Sequence, residues 1–205
     1  MSISFREQLR IGQIGESEIA SWLRSRGFTI LPVYEKELDT GKGPRLFLPQ
    51  RQLIAPDMLC YRAGDTLWIE AKHKTVFSFY GKTRDWVTGI DLRHYEDYLA
   101  IDEVSPWPVW LLFLHKSYVT DPRDVQRWNA PPRCPTGLYG RHIRNLRQIE
   151  SHRSCLWGSS GMVYWRHTDL HLLATVDEVV QASRQYAAVR AAGEHQPAVW
   201  GTHER

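Results

Sequence analysis

A chain of 205 residues with 26 Lys and Arg against 23 Asp and Glu has a formal charge of +3, too mild to mark a nucleic-acid binder by charge alone. Its 42% apolar content, with nine Trp, can build a real core and excludes a disordered polar chain. One domain is predicted over 1–193, with a mobile tail at 194–205. No run approaches the ~20 apolar residues of a membrane helix. Three Cys without a CxxC spacing suit a reducing, cytoplasmic setting. The amphipathic start has early acids and no apolar h-region, so no signal peptide is expected.

A helix is predicted over 5–26, stopped by Gly27. At 100° per residue, Ile19, Ala20, Trp22 and Leu23 form one apolar arc. Glu16 falls inside that arc and Glu18 well outside it. An acid on a buried stripe needs a partner; the alternative is an acid placed to suit the helix dipole. A strand follows at 28–34, then a charged, Gly- and Pro-containing loop or loose hairpin at 35–49.

Two apolar runs then meet at Ala63-Gly64, a hairpin signal. With a two-residue loop, Arg62 faces Asp65 and Asp57 comes to face Glu70. Directly opposed residues have Cβ atoms about 5 Å apart, within reach of one divalent cation. Lys72, two residues past Glu70, projects from the same face. Two carboxylates and an ammonium on one patch of sheet are poor core material and good chemistry. Carboxylates suit Mg²⁺, which takes one or two of them and completes its shell with water and phosphate oxygens. Such a metal lowers the pKa of a bound water and stabilises charge on a pentavalent phosphate, and Lys72 adds a donor there. The plainer alternative is a surface hairpin carrying a solvated Glu–Lys pair.

Residues 75–87 are aromatic and Gly-interrupted, and read as a loop over this patch or as packing. A helix is expected over about 89–102, with Leu92, Tyr95 and Leu99 on one side. The apolar run 108–114 fits a buried central strand. Residues 121–133 look like an irregular Pro- and Arg-rich connection. A short helix is expected at 143–150, strands at 161–166 and 170–174, and a helix at 176–192. Basic clusters flank the hairpin patch: Lys74, Lys82 and Arg84 near it, and Arg141, Arg144 and Arg147 in a run of seven Arg over 123–153. These are candidate phosphate contacts or a charged solvated face. Cys134 and Cys155 could join His142 or His152 around zinc, but their spacing fits no standard pattern. His167 and His171 would need a helix to share a metal, and Met162-Val163-Tyr164-Trp165 argues for a strand there.

Pro56-Asp57, a twelve-residue gap, and Glu70-Ala71-Lys72 at the end of an apolar strand resemble the PD-(D/E)xK nuclease superfamily. Gly12-x-x-x-Glu16 with Ile19, Leu23 and Gly27-Phe28 is similar to the opening helix of archaeal Holliday-junction resolvases and Mrr-like nucleases. His94 and Tyr98 stand where many members carry Gln-x-x-x-Tyr; the His departs from that pattern. The resemblance covers about 10–115, leaving 116–193 as a C-terminal elaboration. It implies an α/β restriction-endonuclease-like fold, with a mixed central sheet and a catalytic hairpin flanked by helices. It also implies a Mg²⁺-dependent DNA nuclease, with Mn²⁺ able to substitute. Asp57, Glu70 and the Ala71 carbonyl would hold the metal, Glu16 would complete the site directly or through water, and Lys72 would act on the attacking water. Products would carry 5′-phosphate and 3′-hydroxyl ends. Two other readings stay open. One is a relative directed at branched DNA or RNA, for which a homodimer is expected; the other is an inert nucleic-acid-binding protein that keeps the fold.

Overall fold

Gly27 adopts φ +85°, a left-handed conformation that ends the first helix, α1 (Phe5–Ser25), and turns the chain into strand β1 (Thr29–Pro32). The computed structural model describes residues 5–33, 44–156, 158 and 160–193, with side chains of the first helix described from Ile14 onward. A small two-stranded unit, β2 (Arg45–Phe47) with β3 (Gln52–Ile54), precedes the predicted hairpin, β4 (Met58–Arg62) and β5 (Asp65–Lys74). Ala63 and Gly64 both take positive φ, +28° and +96°. A tight two-residue hairpin loop demands this, and it costs Ala63 about 1 kcal/mol.

The aromatic stretch expected as a loop is instead a second hairpin, β6 (Ser78–Tyr80) and β7 (Asp85–Asp91). Phe77 and Phe79 are buried, as the packing alternative requires. Because β7 runs to Asp91, the next helix, α2 (Leu92–Val104), starts three residues later than predicted; Asp91 caps it by accepting the Arg93 N–H at 3.1 Å. Strand β8 (Val109–His115) follows as expected. The segment predicted as irregular contains helix α3 (Pro122–Trp128), with Pro in its first turn and Asn129 closing it at φ +50°. Then come β9 (Gly137–His142), α4 (Ile143–Gln148), β10 (His152–Ser154), β11 (Met162–Arg166), β12 (His171–Ala174) and α5 (Val176–Gly193). Strands β9 and β10 were not anticipated, and the tail 194–205 lies outside the described residues.

The main sheet has the order β1-β4-β5-β8-β9-β12, antiparallel except where β5 and β8 run parallel. It is therefore a mixed sheet, and the C-terminal half of the chain extends it. Strands β10, β11, β7 and β6 make a second, antiparallel sheet in that order. Side-chain parity along β5 sorts two cores. Ile69 and Ala71 pack with Leu112, Leu114, α1 and α5; Trp68 packs with Leu111, Phe113, α2 and the second sheet. Helix α1 comes close to β5 at Gly15, where an added Cβ would lie 2.2 Å from the Cβ of His73. Among the described residues, no helix is long and apolar enough to cross a membrane.

Candidate active site

The pairing Met58↔Ile69 through Arg62↔Asp65 is the register predicted from the two-residue loop. One step further, Asp57 lies across from Glu70, and there the ladder stops. The Asp57 carboxylate takes over, with Oδ2 accepting the Ala71 N–H at 2.9 Å. The Asp57 carbonyl accepts the Val33 N–H at 2.9 Å, fixing its backbone from the other side. A strand residue aims its N–H and C=O toward the same neighbour. The Ala71 carbonyl therefore shares the strand edge that faces Asp57.

Glu70 is 1% exposed. Its carboxylate lies against the Lys72 ammonium, and the Tyr98 hydroxyl of α2 is within hydrogen-bonding reach. Burial pushes the Glu70 pKa upward and the Asp57 charge adds to this, while Lys72 and Tyr98 pull it back. Burial works against the Lys72 ammonium, but Glu70, Asp57 and Glu16 outweigh it and hold Lys72 as a cation. Burial and the Glu70 and Asp57 charges keep the Tyr98 hydroxyl protonated. His94 has its pKa lowered by burial and by Lys72, and its ring lies 6.2 Å from that of Tyr98. It is thus a half-buried neighbour of the site rather than an ordinary surface histidine. Further along the same face, burial and Lys72 depress the Lys74 pKa to about 8.

Helix α1 separates its two acids as the apolar arc predicts. Glu16 is 6% exposed, and its charge reaches Lys72. Glu18, off the arc, pairs instead with Lys116 at 2.8 and 3.1 Å.

Three carboxylates, Asp57, Glu70 and Glu16, thus stand against one ammonium, a balance a divalent cation would neutralise. Among the described residues, no three His, Cys, Asp or Glu side chains form a ready-made cage. Two buried carboxylates with a carbonyl beside them instead match Mg²⁺, which keeps waters and recruits phosphate oxygens.

The basic residues divide. Lys74 is on the site face. Lys82 and Arg84 sit on the β6–β7 turn, with the Arg84 guanidinium 5.7 Å over Phe79. The three other arginines contact the protein itself. Arg141 donates to the Asp169 carbonyl, Arg144 grips buried Asp102, and Arg147 lies 3.7 Å from Glu103. Asp102 and Glu103 belong to the C-terminal end of α2, whereas the site meets His94 and Tyr98 nearer its start. Cys134 is buried and donates to the Ser117 carbonyl at 3.3 Å, and Cys155 is exposed. His167 and His171 share no helix. Tyr98 had a sequence signal, its place four residues after His94, but its contact with Glu70 needed the fold.

No protein-family model matches the chain, and no curated protein does. Among solved structures, the chain is similar to Hjc, a Holliday junction resolvase from the archaeal hyperthermophile Archaeoglobus fulgidus, with a TM-score of 0.43 and 11% identity over 77% of this chain and 90% of that one. It is also similar to a nuclease from a fusellovirus, with a TM-score of 0.36 and 16% identity over 93% and 98% of the two chains. The functional reading rests on the site's own geometry.

Proposed function

We propose that the protein is a Mg²⁺-dependent DNA nuclease that hydrolyses phosphodiester bonds at the β4–β5 hairpin. The observation that carries this reading is the Asp57 carboxylate bonded to the Ala71 N–H across from Glu70. That single hydrogen bond sets two acids on one edge, with Lys72 on the face beside them. Asp57 and Glu70 would hold the metal with the Ala71 carbonyl, and Glu16 would support it directly or through a water. The metal would supply charge neutralisation for the phosphate and acidify a water.

The chain's own residues do the rest. Lys72 is held cationic, so its role is to donate a hydrogen bond and place positive charge, either on the attacking water or on the scissile phosphate. Asp57 is oriented by the backbone before any substrate arrives, so little reorganisation remains. Tyr98 and the walls of both cores exclude bulk water from Glu70, which strengthens each charge interaction.

Purified protein, Lys72→Ala and Asp57→Ala are incubated with linear, single-stranded and four-way-junction DNA in Mg²⁺, Mn²⁺ or EDTA. Metal-dependent cleavage lost in both variants is expected. Binding without cleavage on every substrate would sink the reading in favour of an inert nucleic-acid-binding protein. Preference for the junction would identify a resolving enzyme.

A further inference from the structure

A second feature lies away from the acids. Tyr80 of β6, His152 of β10 and Tyr164 of β11 stack as three near-parallel rings. The His152 ring is 3.8 Å from Tyr80 at 9°, and 4.6 Å from Tyr164 at 7°. All three are half-buried and line a cleft of about 740 Å³, a volume in the range of small-ligand sites. Its opposite wall is α3, where Trp128 lies so close to the Gly81 backbone that a Cβ there would come within 2.1 Å of the indole.

The charges of the cleft favour an anion. Its two acids are occupied: Asp124 accepts the Phe79 N–H at 2.8 Å, and Asp121 holds the Arg123 N–H and guanidinium. Arg153 is spent on Glu150. Lys82 and Arg127, both exposed and both lining the cleft, have no acidic partner among the described residues; Arg127 instead lies 4.8 Å over the Trp128 ring. Ser78, also in the lining, follows Lys72 by six residues. An extended chain of that length spans at most about 21 Å, or roughly six nucleotides of a strand at ~3.4 Å each.

We propose that this cleft binds an unpaired nucleotide of the nucleic-acid substrate, its base extending the Tyr80–His152–Tyr164 stack and its phosphate met by Lys82 and Arg127. The inference rests on the nuclease reading and adds a single-strand contact to it. A paired base has both faces covered by its neighbours, so only an unstacked base can add a layer to these rings. Stacking of this kind tolerates any base.

The test measures binding in the full-length Lys72→Ala background with Mg²⁺, so that the strand stays intact. The probes are labelled oligothymidylate and a fully paired duplex, with melting curves as a folding control. Adding Tyr80→Ala is expected to weaken oligothymidylate binding about 5- to 150-fold, the loss of one stacked base, and to leave duplex binding within about twofold. Tyr80→Phe, which keeps the ring, should bind as the background does. Equal losses on both probes, or no loss on either, would overturn the proposal, as would competition by poly-glutamate as strong as by unlabelled oligothymidylate. Should Tyr80→Ala fail to fold, Lys82→Glu on the exposed turn must show the same single-strand bias or the proposal falls. A parent that cleaves DNA while Tyr80→Ala binds unchanged removes the cleft alone. A parent that neither cleaves nor binds removes the nuclease reading with it.

Discussion

Two buried carboxylates flank the same layer of the molecule, Asp102 at 2% exposure and Glu70 at 1%. Asp102 is fully provided for: it accepts the Val109 N–H at 2.7 Å and lies 2.9 Å from His142 Nε2, and Arg144 grips it from outside. It bolts the end of α2 to the start of β8 and the end of β9. Among the described residues Glu70 has no backbone donor; its neighbours are Lys72, Tyr98 and another acid, Asp57. A buried charge with a complete set of donors is a fastener. A buried charge beside a like charge is held at a cost in stability, as the proposed cation site would require.

The sharpest break between the two is functional. Lys72→Ala should lower cleavage by about 10²- to 10³-fold, the usual cost of removing one positioned donor, in single-turnover assays. Asp102→Ala, assayed where it is still folded, should leave the rate near that of the parent. Stability should show the reverse. Asp102→Ala is expected to cost about 3–5 kcal/mol in urea unfolding, because it strands buried partners. Glu70→Gln in EDTA should leave the midpoint unchanged or higher. Equal destabilisation by the two would dissolve the distinction.

A third buried group extends the contrast to a base. His115 is 1% exposed and stacked 3.6 Å over Phe77. Burial pushes its pKa down to about 3, with Lys74 and His73 adding repulsion against a hydrogen bond at Val76. The unfolded chain therefore takes up a proton near pH 6.5 that the native state refuses until about pH 3. His115 contributes nothing unfavourable above pH 6.5, and stability drains away as pH falls through that window. Between pH 6.5 and 5 the loss should reach up to about 2 kcal/mol. Urea midpoints at the two pH values should shift less for His115→Phe than for the parent. An identical shift would show that acid sensitivity lies elsewhere.

The smallest effect separates neighbours on α1. Glu18→Ala removes a partly exposed pair with Lys116 and should cost roughly 0.2–1 kcal/mol with no change in cleavage. Glu16→Gln should lower cleavage with little change in stability. Matching losses of activity would mean that the helix, and not the one acid, is what matters.

The β4–β5 hairpin was legible because its information is local. A two-residue loop fixes the register, register fixes the face, and three residue types at those positions name a chemistry. Glu16 was legible for a similar reason, since an acid on an apolar arc breaks a helical pattern. The second sheet was not. Its strands β6 and β10 have three residues each, too few for an alternating pattern; in the main sheet, β9 was hidden by Gly137 and Gly140. The stack of Tyr80, His152 and Tyr164 joins positions distant in sequence, so no window contains it. The intramolecular partners in the basic run over 123–153 needed the fold. Arg141 donates to the Asp169 carbonyl, while Arg144 and Arg147 pair with the consecutive acids Asp102 and Glu103 and keep most of their side chains exposed.

Gly15 shows how chemistry can restrict a position that performs none. Its missing side chain lets α1 lie directly on β5 beside His73, one residue before Glu16. The helix backbone thus packs against the His73 side chain, and that contact sets how near to β5 the helix carries the acid. Among substitutions that selection could sample, nearly all at position 15 are closed by volume, and those at Lys72 are closed by charge. A residue's freedom to vary and its part in the proposed chemistry are therefore separate quantities, and Gly15 and Lys72 would be limited for different reasons.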